Sequence, residues 1–275
     1  MREIKDINLE LERKICEFYN NQPSPKEIKD IENYFNLNSN YIKIILKHND
    51  IKFKFHYSRN PGNNVDINFF NEIKTEKQAY WLGFFLADGY IDNKGHIAIE
   101  LSIDDYEHVK KFKEDLKITS KVCIYDKNST FGKQTNCRCG FVNYYVLYDL
   151  WYKWKINLNK SDTAIIPELI NEELYKHLIR GYFDGNGSIT IGINKTTGEF
   201  VNKGVSFCGT KEILDFIVNL SGFEWSWSKR KDNNTNNFQI ATGKRREGYD
   251  FLNWMYKDCS ICLDRKYDKF KQITK

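Results

Sequence analysis

Two short stretches of the chain share one pattern of apolar and polar positions. Trp81-Leu82-Gly83-Phe84-Phe85-Leu86-Ala87-Asp88-Gly89 is echoed by Ile179-Arg180-Gly181-Tyr182-Phe183-Asp184-Gly185-Asn186-Gly187. Each reads as a largely apolar helix end with a glycine inside it, closed by a short polar side chain and a second glycine. The repetition predicts two similar halves that meet through these helices. A glycine inside a helix costs about 1 kcal/mol against alanine, so Gly83 and Gly181 need a packing reason. Close approach of two helix backbones supplies one. Gly89 and Gly187 then fit as left-handed helix caps. Asp88 and Asn186 would stand side by side at the paired helix ends, where unpaired carbonyls favour a cation.

The rest of the pattern divides the chain. Residues 1–52 show helical spacing in three segments, with Leu9, Leu11, Ile15, Phe18 and Tyr19, then Ile28, Ile31, Tyr34 and Phe35, then Tyr41, Ile42, Ile45 and Leu46 as their apolar positions. The third carries Lys43, Lys47 and His48 on its other face. Helix, short turn and basic amphipathic helix predict a helix-turn-helix DNA-binding domain, with Ser39 and Asn40 at the start of the reading helix. A bundle that contacts protein or caps the larger domain is the competing expectation. Residues 53–68 read as a polar, basic linker. From residue 69 onward the order helix, two strands, helix, two strands, helix is legible twice, in halves of about 69–160 and 161–275. The second strand of the first half is hard to place. His96–Ser102 alternates strictly, as do residues 188–194, so each is a half-buried strand. The fold class is α+β.

The two motifs and their flanks resemble the LAGLIDADG homing endonucleases of the free-standing, single-chain type. Phe69-Phe70-Asn71-Glu72-Ile73-Lys74-Thr75-Glu76 leads into the first motif as in that group. Ser188-Ile189 follows the second, and Leu263-Asp264-Arg265-Lys266-Tyr267 near the C-terminus is also similar. The resemblance covers roughly residues 66–275. It implies two pseudo-symmetric αββαββα halves that form a saddle over duplex DNA, acting as a monomer with an internal two-fold. It implies phosphodiester hydrolysis with Mg²⁺ (or Mn²⁺, with Ca²⁺ as a non-catalytic substitute), because a metal can activate water and stabilise developing charge. Carried across residue by residue, the metal ligands are Asp88 with the Ala87 carbonyl and Asn186 with the Gly185 carbonyl. Lys160 and Lys266 take the places of the lysines near the scissile phosphates, with Arg265 as a neighbouring possibility.

Asn186 departs from the family pattern, since a neutral amide holds magnesium more weakly than a carboxylate. Asp184 lies two residues earlier and should point elsewhere. Three readings stay open: a degenerate second site with strand-biased cutting, a protein kept for binding alone, or an asparagine introduced to trap a DNA complex. The binding reading includes a transcriptional regulator or an intron maturase on DNA or RNA. Strand parity assigns the groove-facing side chains under the saddle reading. They are His96, Glu100, Ser102, Lys121, Tyr125 and Arg138 in the first half, and Thr190, Asn194, Ser206, Ser228, Arg230 and Gln239 in the second.

Composition adds little and excludes some classes. The net charge of +5 over 275 residues suits a polyanion partner without requiring one. The seven cysteines are odd in number and scattered, which favours reduced, packed thiols over a disulfide framework or zinc. No apolar run approaches a membrane span, so the expectation is a soluble intracellular protein.

Overall fold

The computed structural model describes residues 9–22, 28–53, 65–92, 94–129, 132–156, 160–230 and 236–273. Its centre is a pair of helices, α4 (Glu76–Asp88) and α8 (Tyr175–Asn186). Thr75 and Gln78 form a reciprocal capping box that starts α4. The two helices touch backbone to backbone. A Cβ on Gly83 would collide with the Leu178 carbonyl, and one on Gly181 would collide with the Tyr80 carbonyl. The contact is reciprocal, as an internal two-fold demands, and it supplies the packing reason for both glycines.

The closing glycines act differently from the expectation. Gly89 (φ −66°) and Gly187 (φ −99°) are extended, not left-handed, and each leads straight into a strand. A side chain at either would strike the ring of Phe85 or Phe183 one turn back, so close approach selects glycine here too.

Each helix feeds a four-stranded antiparallel sheet. The first has the order β1 (Gly89–Ile91), β2 (His96–Ser102), β4 (Gly132–Val142), β3 (Cys123–Ser129). The second has β5 (Gly187–Ile193), β6 (Phe200–Gly209), β8 (Phe238–Thr242), β7 (Ser226–Lys229). The strand that the sequence leaves unplaced is the first of its half and not the second: β1 is three residues long, too short to show alternation, and His96–Ser102 is the second strand. Ile97, Ile99, Cys137 and Cys139 in the first sheet, and Val205, Phe207 and Ile240 in the second, are buried on the core face. Helices α5 (Tyr106–Asp115) and α9 (Lys211–Ser221) back the sheets, together with α6 (Tyr144–Tyr148) and α10 (Arg245–Tyr256). The helix read over residues 144–154 is α6 followed by a π turn, Asp149–Lys153. The short α7 (Lys160–Thr163) ends the first half, and α11 (Asp264–Gln272) ends the second. All seven cysteines are free thiols, and no cluster of three metal-ligating side chains occurs among the described residues.

The N-terminal helices α1 (Leu9–Asn21), α2 (Ile28–Phe35) and α3 (Ser39–His48) share a small core of their own. They are also fastened to the first half. Tyr41 and Ile44 of α3 belong to the main core. The Tyr41 ring packs edge-on against Trp151 at 5.4 Å, and its hydroxyl donates to the Asp92 carbonyl at 2.8 Å. His48 stacks on Tyr152 at 4.0 Å, and the Tyr152 hydroxyl donates to Glu12. The Lys47 ammonium lies 4.2 Å from the centre of the Tyr148 ring.

Helix α3 thus docks on the first half through part of its surface, and Ser39, Asn40, Lys43 and Lys47 stay partly exposed. Tyr41, Ile42, Ile44, Ile45 and Leu46 are all buried, so α3 is apolar on two sides and leaves a narrow exposed arc. Lys47 is covered by tyrosines, Lys43 is half-buried, and the Asn40 amide donates to the Lys94 carbonyl. Most of the linker, residues 54–64, lies outside the described residues. Among the described residues no helix is long and apolar enough to cross a membrane.

Candidate active site and nucleic-acid face

The C-terminal ends of α4 and α8 lie together, and each is capped by a lysine. The Lys160 amine donates to the carbonyls of Phe85 (3.3 Å), Leu86 (3.0 Å) and Ala87. The Lys266 amine donates to those of Phe183 (2.6 Å), Asp184 (2.8 Å) and Gly187 (2.6 Å). Both satisfy carbonyls that a helix end leaves unpaired, and both set a positive charge against the negative end of the helix dipole. Burial pushes each amine down to about 8, with Asp88 opposing the shift at Lys160 and Asp184 at Lys266. The sequence argument brought both lysines to this place. The use of their donors on helix carbonyls was not legible there.

Asp88 sits at the meeting point. A methyl on Gly185 would lie 3.1 Å from Asp88 Oδ2, so the carboxylate rests against the opposite helix end. Burial raises its pKa, while Lys160, Lys266 and Arg265 pull it down. Asn186 turns back along α8, its amide donating to the Tyr182 hydroxyl at 3.3 Å. Asp184 points away into the core. It accepts from the Tyr80 and Tyr256 hydroxyls (2.8 and 2.6 Å) and from the Leu263 N–H (2.7 Å). Those three donors hold the carboxylate fully buried in the core, so it does not stand in for the charge missing at Asn186. One pair went unread in the sequence: Arg265 Nε lies 3.0 Å from both carboxylate oxygens of Asp105, which begins α5 beside Asp88.

The donor set fits magnesium at one end only. Magnesium is commonly held by one or two carboxylates plus substrate phosphates. Asp88 meets that requirement at the α4 end. The Ala87 carbonyl, expected as its fellow ligand, accepts from Lys160 and keeps its second lone pair. At the α8 end Asn186 and the Gly185 carbonyl bring no negative charge. There a cleft of about 180 Å³ is bordered by Lys160, Tyr182, Asn186, Thr210 and Arg230. Arg230, assigned by parity to the sheet face, follows the end of β7, is exposed and borders this cleft.

On the first sheet the register gathers the parity-assigned residues. His96 pairs with Val142, Glu100 with Arg138, Ser102 with Asn136, and Tyr125 also with Asn136. His96, Glu100, Ser102, Tyr125 and Arg138 thus share the outer face, and Lys121 is exposed just before β3. Tyr90, Lys127 and Asn136 join them. Tyr90 and Lys127 were missed because β1 was not placed and β3 runs further than its apolar residues indicate, whereas Asn136 has the parity of Arg138 on β4 and was open to the same rule. Burial works against the charge of Glu100, but bonds from Tyr125, Asn136 and Lys127 outweigh it and hold Glu100 below the usual carboxylate range. On the second sheet Thr190, Ser206, Ser228 and Gln239 share the outer face. Asn194 does not, because β5 ends at Ile193. Its side chain accepts from the Thr196 N–H within the following turn.

No protein-family model matches the chain, and no curated protein matches it. Among solved structures the fold is similar to LAGLIDADG homing endonucleases. I-WcaI bound to its DNA recognition sequence is 16% identical, with a TM-score of 0.48 over 73% of this chain and 89% of that one. I-GzeII in complex with its DNA target is 14% identical, with a TM-score of 0.46 over 70% and 87%. Full-length DUF199/WhiA from Thermatoga maritima is also similar, at 12% identity and a TM-score of 0.43 over 75% of this chain and 63% of that one. These are distant likenesses of fold.

Proposed function

We propose that the chain is a metal-dependent endonuclease of double-stranded DNA with one competent catalytic end and one impaired end. The observation that carries this reading is the pair of lysine-capped helix ends, with Asp88 against one and Asn186 at the other. Two helix C-termini would repel a DNA phosphate through their dipoles. Lys160 and Lys266 cancel that repulsion by occupying the carbonyls, so a backbone phosphate can approach Asp88. A magnesium ion held by Asp88 and the phosphate would stabilise developing charge and activate water. Arg265, held by Asp105 in the free chain, is placed to orient a phosphate oxygen near Asp88. The outer faces of the sheets supply polar and cationic side chains for the flanking duplex, and salt-sensitive binding follows from those cations.

The test is magnesium-dependent nicking of supercoiled plasmid carrying the target. Asp88→Asn should abolish nicking and leave DNA affinity within about threefold, because the change removes one charge among many phosphate contacts. Nicking at the parental rate in that variant would remove Asp88 from the active site. One observation favours a second reading. The α8 end has no carboxylate available to a metal, as expected of a binding protein that has shed catalysis. Absence of magnesium-dependent nicking in the unsubstituted chain, with tight DNA binding retained, would select it.

A further inference from the structure

The outer face of the first sheet contains a hollow of about 460 Å³, within the ~300–1,000 Å³ range that accepts small planar ligands. Its walls are His96, Lys121, Tyr125 and Arg138, and Gly140 lines its base. Depth comes from the register. Gly140 has no side chain between Arg138 and Val142 on the same face of β4, so the lining is low there. A Cβ on Gly140 would lie 2.8 Å from Ala98 Cβ and 2.9 Å from the Ile97 carbonyl, so the strands approach closely only because it is absent. The Ser120 hydroxyl donates to the Gly140 carbonyl at 2.8 Å and ties the rim to the base.

Three of these walls, His96, Tyr125 and Arg138, are planar groups with a partner of their own, and Asp92 also lines the hollow. Asp92 fixes the His96 ring at 2.7 Å. Glu100 accepts from the Tyr125 hydroxyl. The Arg138 guanidinium lies over the Tyr90 ring at 5.5 Å. Groups fixed in this way lose little freedom when a flat ligand enters between them. Two of the walls are cations. A paired base offers a groove only its edge, whereas a hollow with planar walls takes a ring by its faces.

We infer that this hollow receives a single nucleobase turned out of the stack, with Lys121 and Arg138 on the adjoining phosphate. The inference rests on the reading of the sheet faces as the nucleic-acid surface, but not on catalysis. Its ligand chemistry is a nucleobase joined to a phosphate. The source is a base of a bound strand, with a free nucleotide as the rival source.

The test uses the full chain and needs no knowledge of the target sequence. A short single strand of thymidines carrying one 2-aminopurine is titrated, alongside the same strand annealed to its complement, free deoxynucleoside monophosphates and deoxyribose 5-phosphate. Amide resonances around His96, Tyr125 and Arg138 report occupancy. The single strand should shift them and lose 2-aminopurine fluorescence through stacking. Tyr125→Ala should weaken that binding by about fivefold or more, and Tyr125→Phe, which keeps the ring, by less than about twofold. Lys121→Ala, an exposed change that leaves the fold alone, should weaken binding and reduce its salt dependence. Equal shifts from deoxyribose 5-phosphate would mean that only phosphate is read and would overturn the inference. So would free nucleotide binding as tightly as the strand, equal quenching in Tyr125→Ala, or no shift at the hollow. Loss of plasmid nicking with these responses intact would remove the endonuclease reading and leave the hollow standing.

Discussion

Lys160 and Lys266 each bring a cation to carbonyl oxygens that a helix leaves unpaired at its end. Their positions were legible because each lies just past the long helix that backs its sheet, in the short closing helix and in the context the family resemblance marks. Their bonds were not, since sequence spacing says nothing of which acceptors a long side chain reaches. The same holds for Asp184. Its offset from Asn186 predicted that it points elsewhere, but the two tyrosines that hold it are 104 and 72 residues away. A pH prediction follows for Lys160. Its pKa in the folded chain is about 8, below the ordinary 10.5, so between those values the unfolded chain binds more protons. Stability from this group therefore rises as pH climbs from 8 toward 10.5 and is flat below 8. The thermal midpoint of the unsubstituted chain should gain on that of Lys160→Met across this window. A constant difference between the two would show that the amine is not shifted.

At the scale of elements, α4 and α8 are the part of the fold written most openly in the sequence. The inner glycines predicted contact, and the contact is backbone on backbone. Gly83→Ala should destabilise the chain by about 3 kcal/mol, at the upper end of what overpacking costs, because the Leu178 carbonyl belongs to a helix and cannot move aside. Urea unfolding measures this. A cost near zero would show that the helices can separate without loss. The closing glycines carried a weaker message, since a glycine after a helix fits both a left-handed cap and a close approach, and only the neighbouring phenylalanine decides. Strands with strict alternation, such as β2, were legible. The three-residue β1 and the π turn at Asp149–Lys153 were not, because neither is long enough to set a period.

At the scale of the molecule, the N-terminal helices have a small core of their own and are also fastened to the first half. Their amphipathic pattern predicted a bundle correctly. It could not show that α3 has a second apolar face, because Tyr41 and Ile44 look like ordinary members of the same helix. Trp151, which packs on Tyr41, and Tyr152, which stacks on His48, lie about a hundred residues on. Deleting residues 1–53 should therefore destabilise what remains. Uncovering the neighbours of Tyr41 and Ile44 costs about 3 kcal/mol, or roughly 10 °C in thermal midpoint. Differential scanning fluorimetry of the shortened chain checks this. An unchanged midpoint would mean that the bundle is merely tethered.

The two halves share a plan and differ in chemistry, with a carboxylate at one helix end and an amide at the other. The most direct measurement is the time course of supercoiled plasmid carrying the target in magnesium, for the unsubstituted chain and for Asn186→Asp. The account predicts that the unsubstituted chain accumulates nicked circles, with linear product slow or absent. Asn186→Asp should give linear product promptly, and increasingly so as divalent ion is raised, since bound metal offsets the repulsion between neighbouring carboxylates. Linear product forming as fast as nicked circles in the unsubstituted chain would contradict it, as would an Asn186→Asp variant that still stops at the nick.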